Sequence, residues 1–400
     1  MSSPDLDRFR LASRAVGASL QASTPSEPAR DPVEIWKGSF LALFGSPIDT
    51  PKALSLSLVC ETLKGVFEVR QAWTPQLHRH SSVVVSAGKG ALYDRQSGLA
   101  LPGSYLRRMP DGMQAPHCMD FHLEPRWQWG DLPILERALY LPFNHYDNFG
   151  HFVTETISYL WPFLEPCPSK TPIPVLLSMG KSEGLVSQVC SFMDNAGYTP
   201  VFDVDLPALY GVAELLLPEA TLHLHSMSST AYLRTAAAFG DWVIQSAATE
   251  DLPAEVLDRL YVSRSRLAGD VRQVEEEALL EERLATLGWT IYHPQLHSLA
   301  HQVATYRQAR CVAGFEGSAL HALAMAGFGQ RGQGVIVLGD LVSPDYLLQF
   351  SAQQLPGFYL YCTQPEGGFG GEGGLHLRRR SLLASVDVVS QMLEALASSF

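Results

Sequence analysis

The sequence predicts an α/β protein with two doubly wound domains, each a mainly parallel sheet covered by helices, and a β-rich region near its start. Three observations support this prediction. The chain has 400 residues, enough for two or three domains. Short apolar runs of strand length alternate with amphipathic segments of helical period along most of the chain. The alternation is interrupted once, by the polar stretch Thr249 to Ala254, and then restarts.

The first predicted domain covers residues 35–248 and follows an N-terminal arm, residues 1–34, that we expect to be mobile. Residues 53–105 contain short β-prone pieces separated by Gly, Pro and Ser turns. The run ILERALYLPF predicts a buried strand, and NHYDNFGHFVTETISYLWPFLE predicts the helix that follows it. The alternation continues through the strands IPVLLSM and TPVFDV and the helices LVSQVCSFMDNAGY and TAYLRTAAAFGDWVIQSAA.

The second predicted domain covers residues 249–378 and repeats the alternation. Its predicted strands are RLYVSRS, TIYHP, CVAGF and GVIVLG, and its predicted helices are VEEEALLEERLATLGW, LAHQVATYRQA and SALHALAMAG. The glycine-rich stretch PEGGFGGEGG predicts a flexible loop. We expect the final helix, residues 379–400, to pack back on the first domain, and the two domains to face each other across a cleft.

The composition excludes several classes of protein. The net charge is −12, so the chain lacks the broad basic surface that nucleic acid attracts. Six cysteines stand without metal-ligand spacing, which fits a reducing compartment. No apolar run approaches the ~20 residues that cross a bilayer, and the N-terminus has no run typical of a signal peptide. We therefore expect a cytoplasmic protein with no nucleic-acid partner, and peripheral association with a membrane stays open.

The first candidate site lies in NHYDNFGHFVTET, directly after a predicted strand. His151 and Glu155 share the polar face of this helix, opposite an apolar stripe. Because they are four residues apart they can touch, and the carboxylate can then orient the imidazole and raise its basicity. Asp147 and Asn148 stand at the start of the segment. The alternative is an ordinary solvated helix face, which periodicity alone favours.

The second candidate site lies in RLYVSRSRLAGDVR. Ser263, Arg264 and Arg272 stand at and after the end of a predicted strand, so an acidic chain concentrates guanidinium groups at one connection. Forked guanidinium donors suit a diphosphate. Surface ion pairs with the neighbouring acidic residues explain the pattern equally well.

The third candidate site lies in CVAGFEGSALH. Gly317 and Ser318 open a helix with almost no side-chain bulk, so a phosphate can approach the backbone N–H groups closely. A carboxylate beside a phosphate is repelled by it, and we therefore expect Glu316 to accept hydrogen bonds from ribose or sugar hydroxyls. Tight packing of the strand on the helix also accounts for the small residues.

The order and spacing of NFGHFVTET, YVSRS and CVAGFEGSALHALAMA resemble glycosyltransferase family 61, often described as capsular polysaccharide biosynthesis proteins. The resemblance covers roughly residues 139–339. It implies the GT-B fold of two Rossmann-like domains and an inverting, metal-independent transfer from a nucleotide sugar. Arg264 and Arg272 match the family's Ser-Arg and following Arg, and its G-x-H-G-x-x-L turn is matched by Gly314, Gly317 and Leu320.

Two positions depart from this family pattern. Glu316 stands where many members have His, and Ser158-Tyr159 replaces a Pro-Arg pair. A Glu in this turn, with Ser-Ala-Leu-His after the glycine, is similar to a bacterial subgroup of the family. The expected donor-binding residues are Ser263, Arg264, Arg272, Glu316, Gly317, Ser318 and His321. The expected acceptor-binding residues are Asp147 and Asn148, and the expected base is His151 oriented by Glu155, or Glu155 itself.

These residues imply transfer of a hexosyl or pentosyl group from a nucleoside-diphosphate sugar to a glycan or glycolipid hydroxyl. No metal or other cofactor is expected, because guanidinium and backbone N–H groups stabilise the leaving diphosphate. Two other functions stay open at this point. A pyruvyl-type transferase would bind phosphoenolpyruvate at the same basic cluster, and a non-catalytic relative would bind a nucleotide or glycan without turnover.

Overall fold

The computed structural model describes residues 51–61, 68–87, 91–98, 101, 132–141, 148–177, 184–202, 205–253, 257–267, 273–340, 343–365 and 380–400. They form a mixed α/β protein with several sheets. The chain divides into two compact units: a middle unit, Arg70–Val243, and a terminal unit made of Met1–Val69 and Ile244–Phe400. The predicted N-terminal arm and residues 366–374 of the glycine-rich loop lie outside the described residues.

The described strands, in chain order, are β1 (Lys52–Ser55), β2 (Glu68–Arg70), β3 (Leu77–Ser86), β4 (Ala91–Asp94), β5 (Ile134–Leu141), β6 (Pro174–Leu177), β7 (Thr199–Phe202), β8 (Leu209–Pro218), β9 (Met227–Ser229), β10 (Arg259–Val262), β11 (Gln273–Glu275), β12 (Thr290–Tyr292), β13 (Cys311–Phe315), β14 (Gly334–Gly339), β15 (Gly357–Tyr361), β16 (Thr363–Pro365) and β17 (Arg380–Leu383). The described α-helices are α1 (Leu56–Glu61), α2 (Phe149–His151), α3 (Leu185–Asn195), α4 (Thr230–Gln245), α5 (Glu277–Thr286), α6 (Leu299–Gln308), α7 (Ser318–His321), α8 (Pro344–Gln353) and α9 (Val386–Ala397).

The middle unit is built on a mixed sheet in the order β4-β3-β8-β5-β6-β7. Strands β8, β5, β6 and β7 run parallel, and β3 pairs antiparallel with both β4 and β8. β6, the strand that follows β5 along the chain, pairs with one side of β5, and β8 pairs with the other side. The carboxyl ends of β5 and β8 therefore form a switch point, the place where open α/β sheets bind ligands.

The terminal unit is built on a sheet in the order β1-β15-β14-β13-β10-β12, in which only β1 runs antiparallel to its neighbour. Counted along the chain, the five parallel strands lie in the order second, first, third, fourth, fifth across the sheet. The switch point of this doubly wound order lies between its first and third strands. These are β10 and β13, the strands that end in the second and third candidate sites.

The terminal unit differs from the predicted second domain at both ends. The chain divides between Val243 and Ile244, a few residues before the predicted boundary at 249. Its edge strand β1 comes from residues that we had assigned to the first domain, and Ala53 pairs with Leu360 of β15. Burial of Leu56 and Val59 in α1 explains this placement. Periodicity shows that such a strand has a buried face but does not show which sheet completes it.

The C-terminal helix α9 also corrects a prediction. We expected it to pack on the first domain, but it packs beside α5 in the core of the terminal unit, where Leu393 is fully buried. Glu394 accepts hydrogen bonds from Arg259 at 2.7 and 2.8 Å and from the indole of Trp289. A doubly wound sheet needs helices on both faces, and α9 completes the layer begun by α5.

Two predicted helices are shorter or less regular than expected. The NFGHF segment begins as α2 and continues as a π-helical turn, Phe152–Thr156, followed by 3-10 turns at Ile157–Tyr159 and Trp161–Leu164. The SALHALAMAG segment is α-helical only over α7. Further 3-10 turns lie at Thr249–Asp251 and Pro294–Leu296. Among the described helices, none has the length and apolar character needed to cross a membrane.

Candidate functional site

The segment after β5 carries the first candidate site. Asn148 is extended and its side-chain oxygen accepts hydrogen bonds from the N–H groups of Gly150, at 3.0 Å, and His151, at 3.3 Å. This is the N-cap that starts α2 at the switch point of the middle unit. The side chain predicted to bind acceptor thus fixes the start of the helix. Asp147 lies outside the described residues.

His151 and Glu155 make the side-chain contact that the sequence predicts. Nδ1 of His151 contacts Oε2 of Glu155, with side-chain exposures of 32% and 13%. The other side chains from Phe152 to Leu160 are buried. A carboxylate on Nδ1 orients the ring and leaves Nε2 as the second ring nitrogen. The partly exposed pair therefore lies in the segment that follows the carboxyl end of β5.

The π-helical turn that carries Glu155 is held by side chains far away in the sequence. The buried Tyr232 donates its hydroxyl proton to the carbonyl of Val153 at 3.0 Å. Thr221, which follows β8, donates its N–H and hydroxyl to the carbonyl of Ser158 at 3.1 and 2.8 Å. Sequence reasoning missed both residues, because no local pattern connects them with the NFGHF segment. π-helical turns are frequent at functional sites, where they re-aim side chains.

In the terminal unit, Arg264 joins the ends of β10 and β13. Its backbone N–H donates to Oε1 of Glu277 at 3.0 Å, and Nη1 of its guanidinium donates to the carbonyl of Glu316. Gly317 lies against the guanidinium, since a Cβ there would be 3.5 Å from Nη1. The structure thus brings two separate sequence motifs together at the switch point. Arg272 lies outside the described residues.

Ser263 faces inward instead of toward a ligand. It is 2% exposed, its hydroxyl donates to the carboxylate of Glu281, and its oxygen accepts the N–H of Ser265 at 3.0 Å. His293 lies on the other oxygen of Glu281, with Nε2 at 3.8 Å. Ser263 therefore supports the turn that carries Arg264. Its expected contact with the donor stays a prediction, although its hydroxyl proton is already used.

The turn after β13 is held by a hydrogen bond to its backbone. The hydroxyl of Tyr346 donates to the carbonyl of Gly317 at 2.7 Å, and Ser318 is exposed. α7 has a single turn, so it contributes little of the helix dipole on which the phosphate prediction relied. His321 is buried, stacks on Tyr346 with ring centroids 4.2 Å apart, and hydrogen-bonds Gln349 at 2.9 Å. These contacts give His321 a supporting position behind the turn.

Glu316 is 7% exposed and is packed against the end of β14. A Cβ at Gly339 would lie 2.9 Å from the hydroxyl of Tyr359 and 3.2 Å from Cγ of Glu316, so a larger residue there would crowd both side chains. Burial, together with the charges of Glu316 and Asp340, raises the pKa of Tyr359 well above its usual range. The expected contact of Glu316 with ribose or sugar hydroxyls stays a prediction.

Ionisable groups are buried beneath the Arg264 turn, in the acidic stretch for which the sequence left surface ion pairs as an equal alternative. Burial raises the pKa of Glu277 to about 7, although its hydrogen bond from Arg264 acts in the opposite direction. Burial lowers the pKa of His293, against the opposite effect of Glu281. The sequence signal for this arrangement was the spacing of Glu277 and Glu281, one turn apart in α5. The spacing alone did not show that α5 presents these carboxylates to the sheet.

Within the described ranges, no group of three or more His, Cys, Asp or Glu side chains is arranged to hold a metal ion. The sequence does contain an Asp-x-Asp triplet after β7, Asp203-Val204-Asp205, of the kind that metal-dependent glycosyltransferases use, and its first two residues lie outside those ranges. Metal dependence is therefore decided by experiment.

The family model Glycosyltransferase 61 matches residues 149–336. No curated protein matches the chain. The matched stretch begins at the first residue of α2 and ends within β14, so it includes His151, Glu155, Arg264 and the turn after β13.

Proposed function

We propose that this chain transfers a sugar from a nucleoside-diphosphate sugar to a hydroxyl group of a glycan, because residues 149–336 match the family model Glycosyltransferase 61. The transferred group is a hexosyl or pentosyl unit. The acceptor is a polysaccharide or another surface glycan under construction, including a glycolipid. The proposal includes the GT-B fold that the family resemblance implies.

One observation supports this function most directly. The family match includes two sites of complementary chemistry, each at the switch point of its own sheet. The middle unit offers a partly exposed imidazole and carboxylate. The terminal unit offers a guanidinium and a glycine-bounded turn with an exposed serine. Sugar transfer needs both a base for the acceptor and a stabiliser for the leaving diphosphate.

The proposed reaction is a single displacement with inversion. The acceptor oxygen attacks the anomeric carbon, the bond from that carbon to the diphosphate oxygen breaks, and the electron pair leaves with the diphosphate. The acceptor proton passes to His151, whose ring Glu155 orients and whose positive charge it stabilises. Glu155 as the proton acceptor is the near alternative. Arg264 offsets the charge that develops on the diphosphate.

We also propose that the reaction needs no divalent metal. The support is chemical, because a guanidinium with forked donors and the N–H groups of the Gly317 turn supply positive potential at one place. The triplet at 203–205 is the competing feature. Turnover that EDTA abolishes and manganese restores would contradict metal independence and leave the transferase assignment intact.

The deciding experiment is a thermal-shift panel of nucleoside diphosphates, nucleotide sugars and phosphoenolpyruvate, followed by a release assay. We expect one nucleoside diphosphate to raise the unfolding temperature and its nucleotide sugar to release diphosphate when acceptor glycan is added. Stabilisation by phosphoenolpyruvate alone would favour a pyruvyl-type transferase. Nucleotide binding without sugar release over long incubation would favour a non-catalytic relative.

A further inference from the structure

A stack of three aromatic rings lies at the carboxyl end of β12. Tyr292 and His301 stand side by side, since the tyrosine hydroxyl and Nδ1 of His301 are 3.0 Å apart and their planes differ by 10°. His297 stacks on both, with ring centroids 4.9 Å from Tyr292 and 4.2 Å from His301. His297 is exposed, as is the neighbouring Leu296 at 61%. The outer layer of the stack is therefore a flat ring at the surface.

The stack is held in place before any ligand arrives. Tyr292 is buried, and its ring meets that of Tyr306 edge to face at 6.0 Å. Thr305 adds a second hydrogen bond to Nδ1 of His301 at 3.1 Å. Burial and the nearby His297 lower the pKa of His301, so its ring is uncharged at neutral pH. His297 thus rests on a rigid, neutral surface.

The stack is one strand away from the Arg264 turn. Val262 pairs with Tyr292 in the parallel register of β10 and β12, and the N–H of Ser263 donates to the carbonyl of Tyr292 at 2.8 Å. Right-handed crossovers in this strand order place α6, which carries His301, and α7, which follows Gly317, on the same face of the sheet. The rings and the turn therefore lie on one side of the same carboxyl edge.

We propose that the exposed face of His297 binds the nucleobase of the donor by stacking, and this inference rests on the proposed function. In a nucleoside diphosphate the ribose separates the base from the phosphates. The ring stack likewise lies beside the Arg264 turn and not on it, at the end of β12, the strand next to β10. A planar base can use the full face of the imidazole, and Leu296 extends the apolar surface. A metal site does not fit, because parallel stacked imidazoles cannot aim their in-plane lone pairs at one ion.

The test is calorimetry with UDP, GDP, ADP and inorganic pyrophosphate on four forms of the full-length protein. These are the wild type, His297→Ala, His297→Phe and, as a control on the same turn, Gln295→Ala. We expect His297→Ala to weaken the tightest nucleotide by about fivefold or more, while pyrophosphate, which has no base, binds as before. His297→Phe keeps a flat ring and should stay within about twofold of the wild type, as should Gln295→Ala.

Four results would overturn the proposal. Unchanged nucleotide affinity in His297→Ala would show that the base lies elsewhere, while the proposed function would stand. Equal loss of nucleotide and pyrophosphate would mean that His297 supports the site instead of contacting the base. Loss in His297→Phe as large as in His297→Ala would assign the effect to the ring nitrogens. A wild type that binds none of the three nucleotides would remove the proposed function together with this inference.

Discussion

The two candidate sites occupy equivalent positions in their own sheets but are built from different groups. In the middle unit, the reactive side chains are partly exposed, and everything around them from Phe152 to Leu160 is buried. In the terminal unit, Arg264 is partly exposed and Ser318 is exposed, while the carboxylates of Glu277 and Glu281 are enclosed beneath the turn. Proton transfer requires a side chain that reaches the substrate, whereas anchoring an anion requires a rigid set of donors.

The supports of the two sites differ in the same way. The π-helical turn accepts a hydrogen bond from Tyr232 at the carbonyl of Val153, and the 3-10 turn after it accepts hydrogen bonds from Thr221 at the carbonyl of Ser158. The Arg264 turn depends on a buried acid, Glu277, that accepts its N–H. We therefore expect substitutions in the middle unit to affect the rate of transfer. Substitutions in the terminal unit should affect donor affinity and the pH dependence of the free energy of unfolding.

The largest effect is expected from the catalytic pair. His151→Ala and Glu155→Gln should each lower kcat by about 100-fold or more, because either change removes or misorients the base, while donor affinity changes less than about tenfold. Steady-state kinetics and calorimetry on the same preparations measure both quantities. His78→Ala is the matched control, since His78 also pairs with a glutamate in this unit, Glu219 at 3.0 Å.

Near wild-type kcat in both variants of the pair would remove the proposed mechanism. Loss of folding stability without loss of rate in the remaining folded protein would make the pair structural. Either result would show that the two units do not differ as a catalytic site differs from an anion-binding site.

The second effect concerns the anchor. Arg264→Ala should weaken nucleoside-diphosphate binding by about 1.5–3 kcal/mol, the usual range for a hydrogen bond to a charged group. Arg264→Lys keeps the charge but loses the fork, so we expect an intermediate loss. Calorimetry measures the affinity. Arg310→Ala is the control, because Arg310 stands just before the amino end of β13, away from the carboxyl end where Arg264 lies, and is paired with Asp258. Equal affinities in the Arg264→Ala and Arg310→Ala variants would contradict the assignment.

The third effect is a pH dependence specific to the terminal unit. Burial raises the pKa of Glu277 to about 7, whereas in the unfolded chain the group ionises near 4.5. Between these values the folded state retains a proton that the unfolded state has lost, so this group makes the free energy of unfolding fall as pH rises. Above pH 7 its unfavourable contribution is complete.

Glu277→Gln removes this titration. We expect the wild type to lose about 3 kcal/mol relative to the variant between about pH 4.5 and 7.5, as measured by urea unfolding across that range. The difference between the two proteins cancels the titration of the other groups. Parallel curves would show that Glu277 does not retain its proton.

The smallest effect distinguishes two roles for Asn148. As an N-cap, its loss in Asn148→Ala should cost about 1 kcal/mol of unfolding free energy, and Asn148→Ser should recover most of it. If capping is the whole role, Asn148→Ser also keeps the wild-type KM for the acceptor. A raised KM in a stable Asn148→Ser variant would restore the acceptor contact predicted from the sequence.

The sequence by itself determined most of the regular elements and the residues worth testing. The strands β5, β6, β10, β12, β13 and β14 and the helices α3, α4, α5 and α6 lie where alternating apolar patterns predict them, because each pattern records one buried face. The His151–Glu155 contact also followed from a spacing of four residues. The resemblance to glycosyltransferase family 61 was likewise indicated by local motifs, and the family model that matches residues 149–336 supports it.

Only the tertiary structure decided which sheet each face completes and how the functional turns are shaped. β1 and α9 belong to the terminal unit because their apolar faces complete its sheet and helix layer, and a one-dimensional pattern carries no partner identity. The π-helical turn and the single turn of α7 depend on hydrogen bonds from Tyr232 and Tyr346, which are 79 and 29 residues distant. A backbone carbonyl takes its partner from whatever the fold brings near, so such turns cannot be read from local propensity.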